Sequence, residues 1–274
     1  MGIDLTIDPK EVSTVIKNFI KTYVENSGSN GVVIGLSGGV DSAVTAILCQ
    51  EALGKNKTNC LFLPDETTPK NDSEHLEILL KKFSLSCEKI DISDVVKQIK
   101  KNCIYKPDKY ALANVKARAR MVFLFEYANM TANLVCGTSN KSELLVGYFT
   151  KYGDGGVDIF PIGDLYKTQV WKLAKFLKIP KEIITKLPTA GLWHGQFDQK
   201  ELKLSYDKID QILTGLEKKI DLNDIAKLVD VKFSHTKRIK NMRVKTQHKR
   251  RSPLIPKIGL RTPGNDWRSP VQIG

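Results

Sequence analysis

The sequence lacks paired cysteines, clustered histidines and long apolar runs, and each absence excludes a class of protein. Its five cysteines never form a Cys-x-x-Cys pair, which argues against zinc sites, iron–sulfur clusters and a disulfide framework. Each lies among apolar residues, a context that predicts reduced core thiols of a cytoplasmic protein. No apolar stretch approaches the length of a membrane-spanning helix, so we expect a soluble chain with no secretory signal and no membrane partner.

Acidic residues are the minority among the charges, with 30 against 43 basic residues and a net charge of +13. Such an excess attracts nucleic acid, anionic membranes or polyanionic small substrates, and charge alone does not choose among them. Much of the excess lies in the last third of the chain, notably at 237–240 and 245–251. The plainer interpretation of those lysines and arginines is a solvated helix face.

Strand-like and helix-like segments alternate through the first part of the chain. The predicted strands are 31–36, 60–63, 87–92 and 134–136, and the predicted helices that follow or separate them are 43–53, 71–83, 93–101 and 110–129. Asp8 and Pro9 predict the start of a further helix before the first strand. This alternation predicts an α/β fold, a parallel sheet flanked by helices on both faces. Because ligands bind beyond the carboxyl ends of such strands, the loops after Leu36, Leu63 and Cys136 should face one site.

The second part of the chain is largely helical and contains no linker. Its predicted helices are 167–178, 204–218, 221–228 and 234–249. We therefore expect one domain over 1–274, with a parallel-sheet core at about 30–165, a helical C-terminal part at about 166–250 and a proline-containing tail at 252–274. The tail is expected either to pack as extended chain or to cover the site.

The first motif that carries chemistry is the hexapeptide Ser-Gly-Gly-Val-Asp-Ser at 37–42. It directly follows a predicted strand and opens a helix, which places backbone N–H groups and a positive helix end around a small concavity suited to phosphate. It lacks the Gly-Lys-Ser/Thr ending of the P-loop that transfers a terminal phosphate, so a different cleavage of ATP is implied. The hexapeptide resembles the signature of the ATP pyrophosphatases, which hold the outgoing pyrophosphate while the α-phosphate is attacked. The plain alternative is a glycine turn between strand and helix.

Longer motifs narrow this resemblance to the NAD synthetase family. They lie at 114–118, 137–143, 147–158, 161–168, 187–193 and 248–250, so the similarity spans nearly the whole chain. The resemblance implies a Rossmann-like sheet of the ATP-pyrophosphatase type. It also implies ammonia-dependent, ATP-driven amidation of deamido-NAD to NAD through an adenylated intermediate, with release of AMP and diphosphate.

The resemblance also assigns roles to individual residues. It implies that ATP is bound by Gly35, Leu36, Ser37, Gly38, Gly39, Val40, Asp41, Ser42, Thr138, Lys167 and Thr189. It implies that deamido-NAD is contacted by Arg118, Lys151, Asp158, His248 and Lys249. It implies a catalytic set of Asp41, Glu143 and Lys167, with Mg²⁺ held by Asp41 and Glu143. Two carboxylates suit a hard cation that bridges phosphates, and arginine and lysine suit a pyrophosphate or a carboxylate.

The resemblance further implies partners. Relatives that use glutamine carry a glutaminase region ahead of the synthetase, whereas this chain starts about one helix before the first predicted strand. We therefore expect free ammonia as the nitrogen donor and no fused glutaminase, although a separate glutaminase partner stays open. The family forms homodimers with the deamido-NAD pocket near the interface, which we expect here.

Several alternatives stay open from the sequence. Asp41 could simply cap its helix, Glu143 could be an exposed helical carboxylate, and Arg118 could pair with a surface acid. Rival functions are a GMP-synthetase-like amidotransferase, a tRNA-modifying pyrophosphatase favoured by the net charge, and a nucleotide-binding sensor that contacts RNA. The motif at 147–158 argues against the first, and the missing Cys-x-x-Cys pairs argue against the second, so no nucleic-acid partner is expected. The roles of His194 and Phe197 and the group that deprotonates ammonium stay unassigned.

Overall fold

The first helix and strand form where the sequence places their signals. The computed structural model describes residues 2–189, 191–193 and 195–260. Helix α1 runs over Pro9–Ser27, and the Asp8 carboxylate accepts hydrogen bonds from the N–H groups of Lys10 and Glu11 at its start. Its apolar positions recur at helical spacing, so that Ile16, Ile20 and Val24 are buried. Strand β1 follows at Gly31–Leu36.

Three further strands pair with β1 in one parallel sheet. The remaining elements of this part are α2 (Val40–Leu53), β2 (Thr58–Phe62), α3 (Lys70–Phe83), β3 (Cys87–Lys89), α4 (Ser93–Asn102), α5 (Lys109–Thr131) and β4 (Asn133–Cys136). The strand order is β3-β2-β1-β4, and all pairs are parallel. The chain therefore returns to the other side of β1 only after α5, which leaves β1 central.

Alternate residues of β1 enter cores on opposite faces of the sheet. Val32, Ile34 and Leu36 pack with residues of α1, α2 and α7, and α7 covers Lys167–Phe176. Val33 packs with residues of α4 and α5 on the other face. This is the two-residue period of a strand between two helical layers, and it confirms the predicted α/β fold with helices on both faces.

A third core lies among the helices of the C-terminal part. The other elements are α6 (Lys141–Val146), α8 (Lys181–Thr185), α9 (Asp198–Leu202), α10 (Tyr206–Glu217), α11 (Leu222–Val229) and α12 (Phe233–Lys245). Fully buried Tyr206 and Ile209 join Val146, Ile225 and Ile239 in this core. Trp171 packs against both this cluster and the cluster on the α1 side of the sheet, so the two cores adjoin. The division of 1–274 into a core, a helical part and a tail stays a prediction.

The structure differs from the sequence prediction at several elements. Strand β3 ends at Lys89 rather than at residue 92, although Ile90 and Ile92 still donate N–H groups to Phe62 and Pro64. Three short helices, α6, α8 and α9, were not predicted because five or six residues carry too little periodicity. The helix expected at 234–249 ends at Lys245 and is followed by a 3₁₀ turn.

The expectations for the cysteines, for membrane spans and for the C-terminal tail can be compared with the structure. The expectation that every cysteine is a core thiol is wrong for Cys103, which is exposed, whereas Cys49, Cys60 and Cys136 are buried; all five are free. Within the described residues, none of the helices is both long and apolar enough to cross a bilayer. The described part of the tail, 252–260, is exposed and has no helix or strand, and the prediction for 261–274 lies outside the described residues.

Two glycines that end helices provide a matched test of packing. Gly28 after α1 and Gly147 after α6 both have left-handed φ values, +68° and +73°. A Cβ on Gly28 would meet nothing within 4 Å, whereas one on Gly147 would overlap the Thr246 side chain. Gly28→Ala should therefore lower the free energy of unfolding by about 1 kcal/mol, and Gly147→Ala by about 3 kcal/mol or more. Urea unfolding measures both, and equal losses would contradict the packing account.

Candidate active site

The carboxyl ends of three strands open into one cavity of about 540 Å³. Ser37 after β1, Leu63 and Pro64 after β2, and Gly137 and Thr138 after β4 all line it. This confirms the prediction that the three loops face one site, since parallel strands bring their carboxyl ends to the same edge.

The loop at 37–42 presents the open start of α2 to this cavity. Gly38 has φ +70°, and a Cβ there would lie 2.5 Å from the carbonyl oxygen of Asp72, so only glycine fits. The Ser42 hydroxyl accepts from the Ser37 N–H and donates to the Gly39 carbonyl, which closes the loop at 3.2 and 3.0 Å. Among the described residues no side chain caps α2, so its first N–H groups are left for a ligand, as a phosphate site requires.

A lysine and two carboxylates from three separate elements meet beside this loop. Lys167, the first residue of α7, has a side chain only 3% exposed, and its Nζ forms an ion pair with Asp41 Oδ2. Glu143 Oε1 lies 3.6 Å from the same Nζ. Asn140 Nδ2 donates to Asp41 Oδ1 at 3.0 Å and holds the second carboxylate oxygen. The structure thus brings together the three residues assigned to catalysis.

Electrostatics at this cluster favour a bound cation. Burial raises the pKa of Glu143, and the neighbouring Asp41 raises it further. Burial lowers the pKa of Lys167, but Asp41 and Glu143 outweigh burial and raise it above its ordinary value. Lys167 is therefore charged at neutral pH. Ionisation of both Asp41 and Glu143 is unfavourable unless a second cation lies beside them.

Lys167 is held by residues that the sequence did not single out. Its backbone N–H donates to the Ser142 hydroxyl at 2.9 Å, and that hydroxyl donates to Asp210 Oδ1 at 2.5 Å. Asp210 Oδ2 accepts the N–H of Thr168 at 2.9 Å. Asp210 therefore caps the start of α7 from the buried face of α10. In the sequence, the only indication of this role is that Asp210 is a lone aspartate on the apolar side of a predicted helix.

The pH dependence of stability tests this buried carboxylate. Burial raises the pKa of Asp210 to about 6, with partial opposition from its hydrogen bonds to Ser142 and Thr168. The folded state then holds a proton between about pH 4 and 6 that the unfolded state has lost, so this contribution to stability is present at low pH and lost as pH rises through about 6. The stability of wild type relative to Asp210→Asn should be about 2 kcal/mol greater at about pH 4.5 than at pH 7. Parallel urea-unfolding profiles for the two proteins would contradict this assignment.

The short helix that carries Glu143 is fixed at both ends. Asn140 and Glu143 form a capping box at its start. At its end, Arg250 Nη1 donates to the carbonyls of Leu144 and Leu145 at 2.8 and 3.1 Å. These contacts compensate for a helix too short to be stable alone.

Lys249 lines the cavity, but its ammonium group is already engaged. Its Nζ donates to the carbonyl oxygens of Gly147 and Phe149 at 2.8 and 2.7 Å. Burial lowers its pKa. In this structure Lys249 holds the chain after α6, and any contact with a substrate is additional to that role.

The predicted residues divide into those that line the cavity and those that do not. The predicted residues that line it are Gly35, Leu36, Ser37, Gly39, Val40, Asp41, Ser42, Thr138, Glu143, Lys167, Thr189 and Lys249. Those outside the lining are Gly38, Arg118, Lys151, Asp158 and His248. Almost all of the predicted ATP set therefore lies together, whereas four of the five residues predicted for deamido-NAD lie elsewhere on this chain. His194 lies outside the described residues.

The four predicted deamido-NAD residues outside the lining have local contacts. Arg118 is exposed on α5 and donates through Nε and Nη2 to the Lys151 carbonyl, at 3.3 Å in both cases. The Lys151 ammonium lies 5.0 Å from the centre of the Tyr152 ring. Asp158 Oδ2 accepts the N–H of Val135 at 2.7 Å, while His248 lies in the 3₁₀ turn after α12.

A second buried ionic network lies against the cavity wall from α5. Lys116 Nζ donates to Asp65 Oδ1 at 3.3 Å, to Thr67 Oγ1 at 2.6 Å and to the Leu192 carbonyl at 3.0 Å. Arg120 Nη2 pairs with Asp65 Oδ2 at 2.9 Å. Burial raises the pKa of Asp65, but hydrogen bonds from the Thr67 hydroxyl and N–H, together with Arg120 and Lys116, outweigh it and hold the pKa below its ordinary value. The network joins the loop after β2 to the segment around Leu192.

A metal would have few protein ligands here. Across the described part of the chain, no group of three or more His, Cys, Asp or Glu side chains is arranged to hold a metal ion. Asp41 and Glu143 therefore form only a partial ligand set. Such a set fits a hard cation that takes its other oxygens from substrate phosphates and water.

Comparison with known proteins decides the family. A sequence model of the NAD synthase family matches residues 12–253. The chain belongs to the NAD synthase family. A relative from Methanocaldococcus jannaschii named NH(3)-dependent NAD(+) synthetase is 44% identical over 253 residues, which cover 91% of this chain and 97% of that protein.

Solved structures of the NAD synthase family agree. An NMN synthetase from Francisella tularensis matches with a TM-score of 0.82 at 34% identity, covering 92% of this chain and 100% of that one. An NH3-dependent NAD synthetase from Campylobacter jejuni matches with a TM-score of 0.78 at 34% identity and the same coverage. Membership confirms the family resemblance, the fold class and the prediction of a ligase that uses ATP. The alternatives of a GMP-synthetase-like or tRNA-modifying enzyme are not favoured.

Proposed function

We propose that this chain is an ammonia-dependent NAD synthetase, which converts the nicotinate carboxylate of deamido-NAD into an amide in the last step of NAD biosynthesis. The observation that carries the proposal is the meeting of Asp41, Glu143 and Lys167 beside the uncapped start of α2. A lysine and an open helix end suit the triphosphate of ATP, and two acids suit its counter-ion. The printed name of the Methanocaldococcus relative supports the same activity.

The first chemical step activates the carboxylate. A nicotinate carboxylate oxygen attacks the α-phosphorus of ATP, a carbon–oxygen–phosphorus link forms, and the bond from the α-phosphorus to the bridging oxygen breaks. The electron pair leaves with pyrophosphate. Lys167 and the first N–H groups of α2 would stabilise the negative charge that grows on that leaving group, because such fixed donors act on a transition state without reorganising.

Magnesium is the cation that fits the two acids. Asp41 and Glu143 would hold it, and the ion would supply additional positive charge against the phosphates when bound. The pKa of Glu143 is raised first by burial and then by the neighbouring Asp41, which supports this proposal because a divalent cation would offset the cost of a buried negative charge close to another.

The second step forms the amide. Ammonia attacks the carbonyl carbon of the acyl adenylate, the carbon–oxygen bond to AMP breaks, and one proton is released to solvent. Water would compete for the same carbon, so the site must limit its access. Residues of α5, of the segment at 147–157 and of the segments at 186–189, 191–193 and 196–198 line the cavity.

A homodimer would complete the dinucleotide pocket. Arg118 lies on the exposed side of α5, and Val122, one turn later on the same face, is 58% exposed. We propose that this face packs against a second copy, which would bring Arg118 and Lys151 into a pocket shared by two protomers. Light scattering coupled to size-exclusion chromatography measures the assembly. The free thiols fit a reducing compartment, and we propose a cytoplasmic location.

A second candidate is amidation of the mononucleotide instead of the dinucleotide. The likeness to the Francisella NMN synthetase favours it. The two substrates share the nicotinate carboxylate and differ in the adenylate part, so the same catalytic residues serve both.

One incubation separates these functions. The purified protein receives ATP and magnesium with either deamido-NAD or nicotinate mononucleotide, and with either ammonium or glutamine. We expect NAD and AMP in equal amounts from deamido-NAD with ammonium alone. Efficient product formation only from the mononucleotide would select the second candidate, and no product from either acceptor would overturn both.

A further inference from the structure

A buried carboxylate outside the predicted catalytic set also lines the cavity. Asp198, the first residue of α9, is 3% exposed. Its Oδ2 accepts the Tyr206 hydroxyl at 2.9 Å, whereas Oδ1 has no hydrogen-bond partner among the described residues. An unpaired acceptor buried at a cavity wall is costly unless a ligand satisfies it.

Two more acceptors lie next to Asp198. Glu201 Oε2 accepts the Tyr148 hydroxyl at 2.6 Å and the Gln196 amide at 3.4 Å. The Gln196 amide also donates to the Tyr148 oxygen at 3.3 Å, and its carbonyl accepts the N–H of Leu192. The Tyr148 hydroxyl therefore donates to Glu201 and accepts from Gln196, and it also lies close enough to Asp198 to lower the pKa of that carboxyl. All of these side chains line the cavity.

The charge around these acceptors is negative. Lys167 interacts favourably with Asp198, but its ammonium group is paired with Asp41 and approached by Glu143. Burial raises the pKa of Asp198, while Lys167, Tyr206 and Tyr148 lower it in part. A small cation with several N–H donors would neutralise the excess charge and supply a donor to Asp198 Oδ1.

We propose that Asp198, Glu201 and Tyr148 form a subsite that binds the ammonium ion from which the amide nitrogen comes. The inference rests on the proposed function, since it concerns the nitrogen donor of that reaction. It gives a role to Asp198 and Glu201, two acids that are not part of the cluster of Asp41, Glu143 and Lys167. Tyr206 is a positioning residue, because its hydroxyl donates a hydrogen bond that orients Asp198.

The test measures the two half-reactions separately. Asp198→Asn and Glu201→Gln each remove one negative charge from the subsite while keeping its shape. The apparent KM for ammonium should rise at least about tenfold, the effect expected when a hydrogen bond to a charged group is lost. Exchange of labelled pyrophosphate into ATP, measured with deamido-NAD and no ammonium, should stay within about twofold of wild type because adenylation precedes nitrogen entry.

A control variant and the two half-reactions together distinguish failure of the subsite from failure of the proposed function. Asp207→Asn removes an exposed carboxylate from the start of α10 and should change neither quantity. If Asp198→Asn fails to fold by circular dichroism, Glu201→Gln alone decides. The subsite proposal is wrong if a folded subsite variant has an unchanged KM for ammonium. It is also wrong if the variant loses pyrophosphate exchange in parallel. Absence of exchange and of NAD with the wild type overturns the proposed function instead.

Discussion

Replacing Asp41 by asparagine should lower the rate of NAD formation by about a hundredfold or more, the scale seen when one preorganised charged or donor group is lost from a site of this kind. Asparagine keeps the shape and can still accept the hydrogen bond from Asn140. It removes the negative charge that pairs with Lys167 and that is proposed to hold magnesium. Deamido-NAD-dependent pyrophosphate exchange should fall by the same factor, because both losses act on adenylation.

The matched control for Asp41→Asn is Asp221→Asn at the start of α11. Asp221 also lies at a helix N-terminus, where its carboxylate accepts the N–H of Asn223, but it is exposed and outside the cavity lining. Its variant should keep full activity with a small loss of stability. Retention of wild-type exchange in folded Asp41→Asn would exclude Asp41 from the adenylation step.

Replacing Lys116 by methionine should lower the free energy of unfolding by about 3 kcal/mol, because it removes one partner of a buried ion pair and leaves Asp65 with less compensation. The Lys116 and Asp65 side chains are only 7% and 3% exposed. Arg120 still pairs with Asp65, which keeps the loss at the lower end of the expected range. The variant also frees the Leu192 carbonyl and so loosens the cavity wall near Trp193.

An exposed lysine provides the comparison for Lys116→Met. Lys21 lies on the outer face of α1, and Lys21→Met should change the free energy of unfolding by less than about 0.5 kcal/mol. Urea unfolding of both variants measures the difference. Equal stabilities for the two variants would mean that the buried network contributes little.

Local signals in the sequence were sufficient for most of the fold. Asp8 and Pro9 predicted the start of α1, and the short apolar run at 31–36 predicted β1 with the same bounds as the structure. The alternation of strands and helices predicted the parallel sheet, and hence that three loops would share one edge. The period of apolar residues is a local property, so it can be found without knowledge of the tertiary structure.

The site was predictable where one motif supplied neighbouring residues. The hexapeptide at 37–42 carried Asp41 and most of the phosphate-binding loop, and family resemblance added Glu143 and Lys167, which the structure places together. The proposed roles of these residues in the reaction stay predictions. Arg118, Lys151, Asp158 and His248 lie outside the cavity lining of one chain, and a pocket shared between protomers would account for that.

Positions that depend on long-range packing could not be predicted. Asp210 caps α7 from a helix more than forty positions later in the chain, as the hydrogen bond to Thr168 with a separation of 42 residues shows. Asp198 lies on a short helix without sequence periodicity, and it lines the same cavity as Tyr148. Capping by a distant side chain leaves no spacing signal, so such residues emerge only from the tertiary structure.

The central claim is that the nicotinate carboxylate attacks the α-phosphorus of ATP within the cluster of Asp41, Glu143 and Lys167. Deamido-NAD with heavy oxygen in both carboxylate positions, turned over with ATP and ammonium, tests it directly by mass spectrometry of the products. The account predicts one heavy oxygen in the phosphate of AMP for each NAD formed, with the other retained in the amide. Heavy oxygen in pyrophosphate or in water, with none in AMP, would contradict an acyl adenylate and the mechanism built on it.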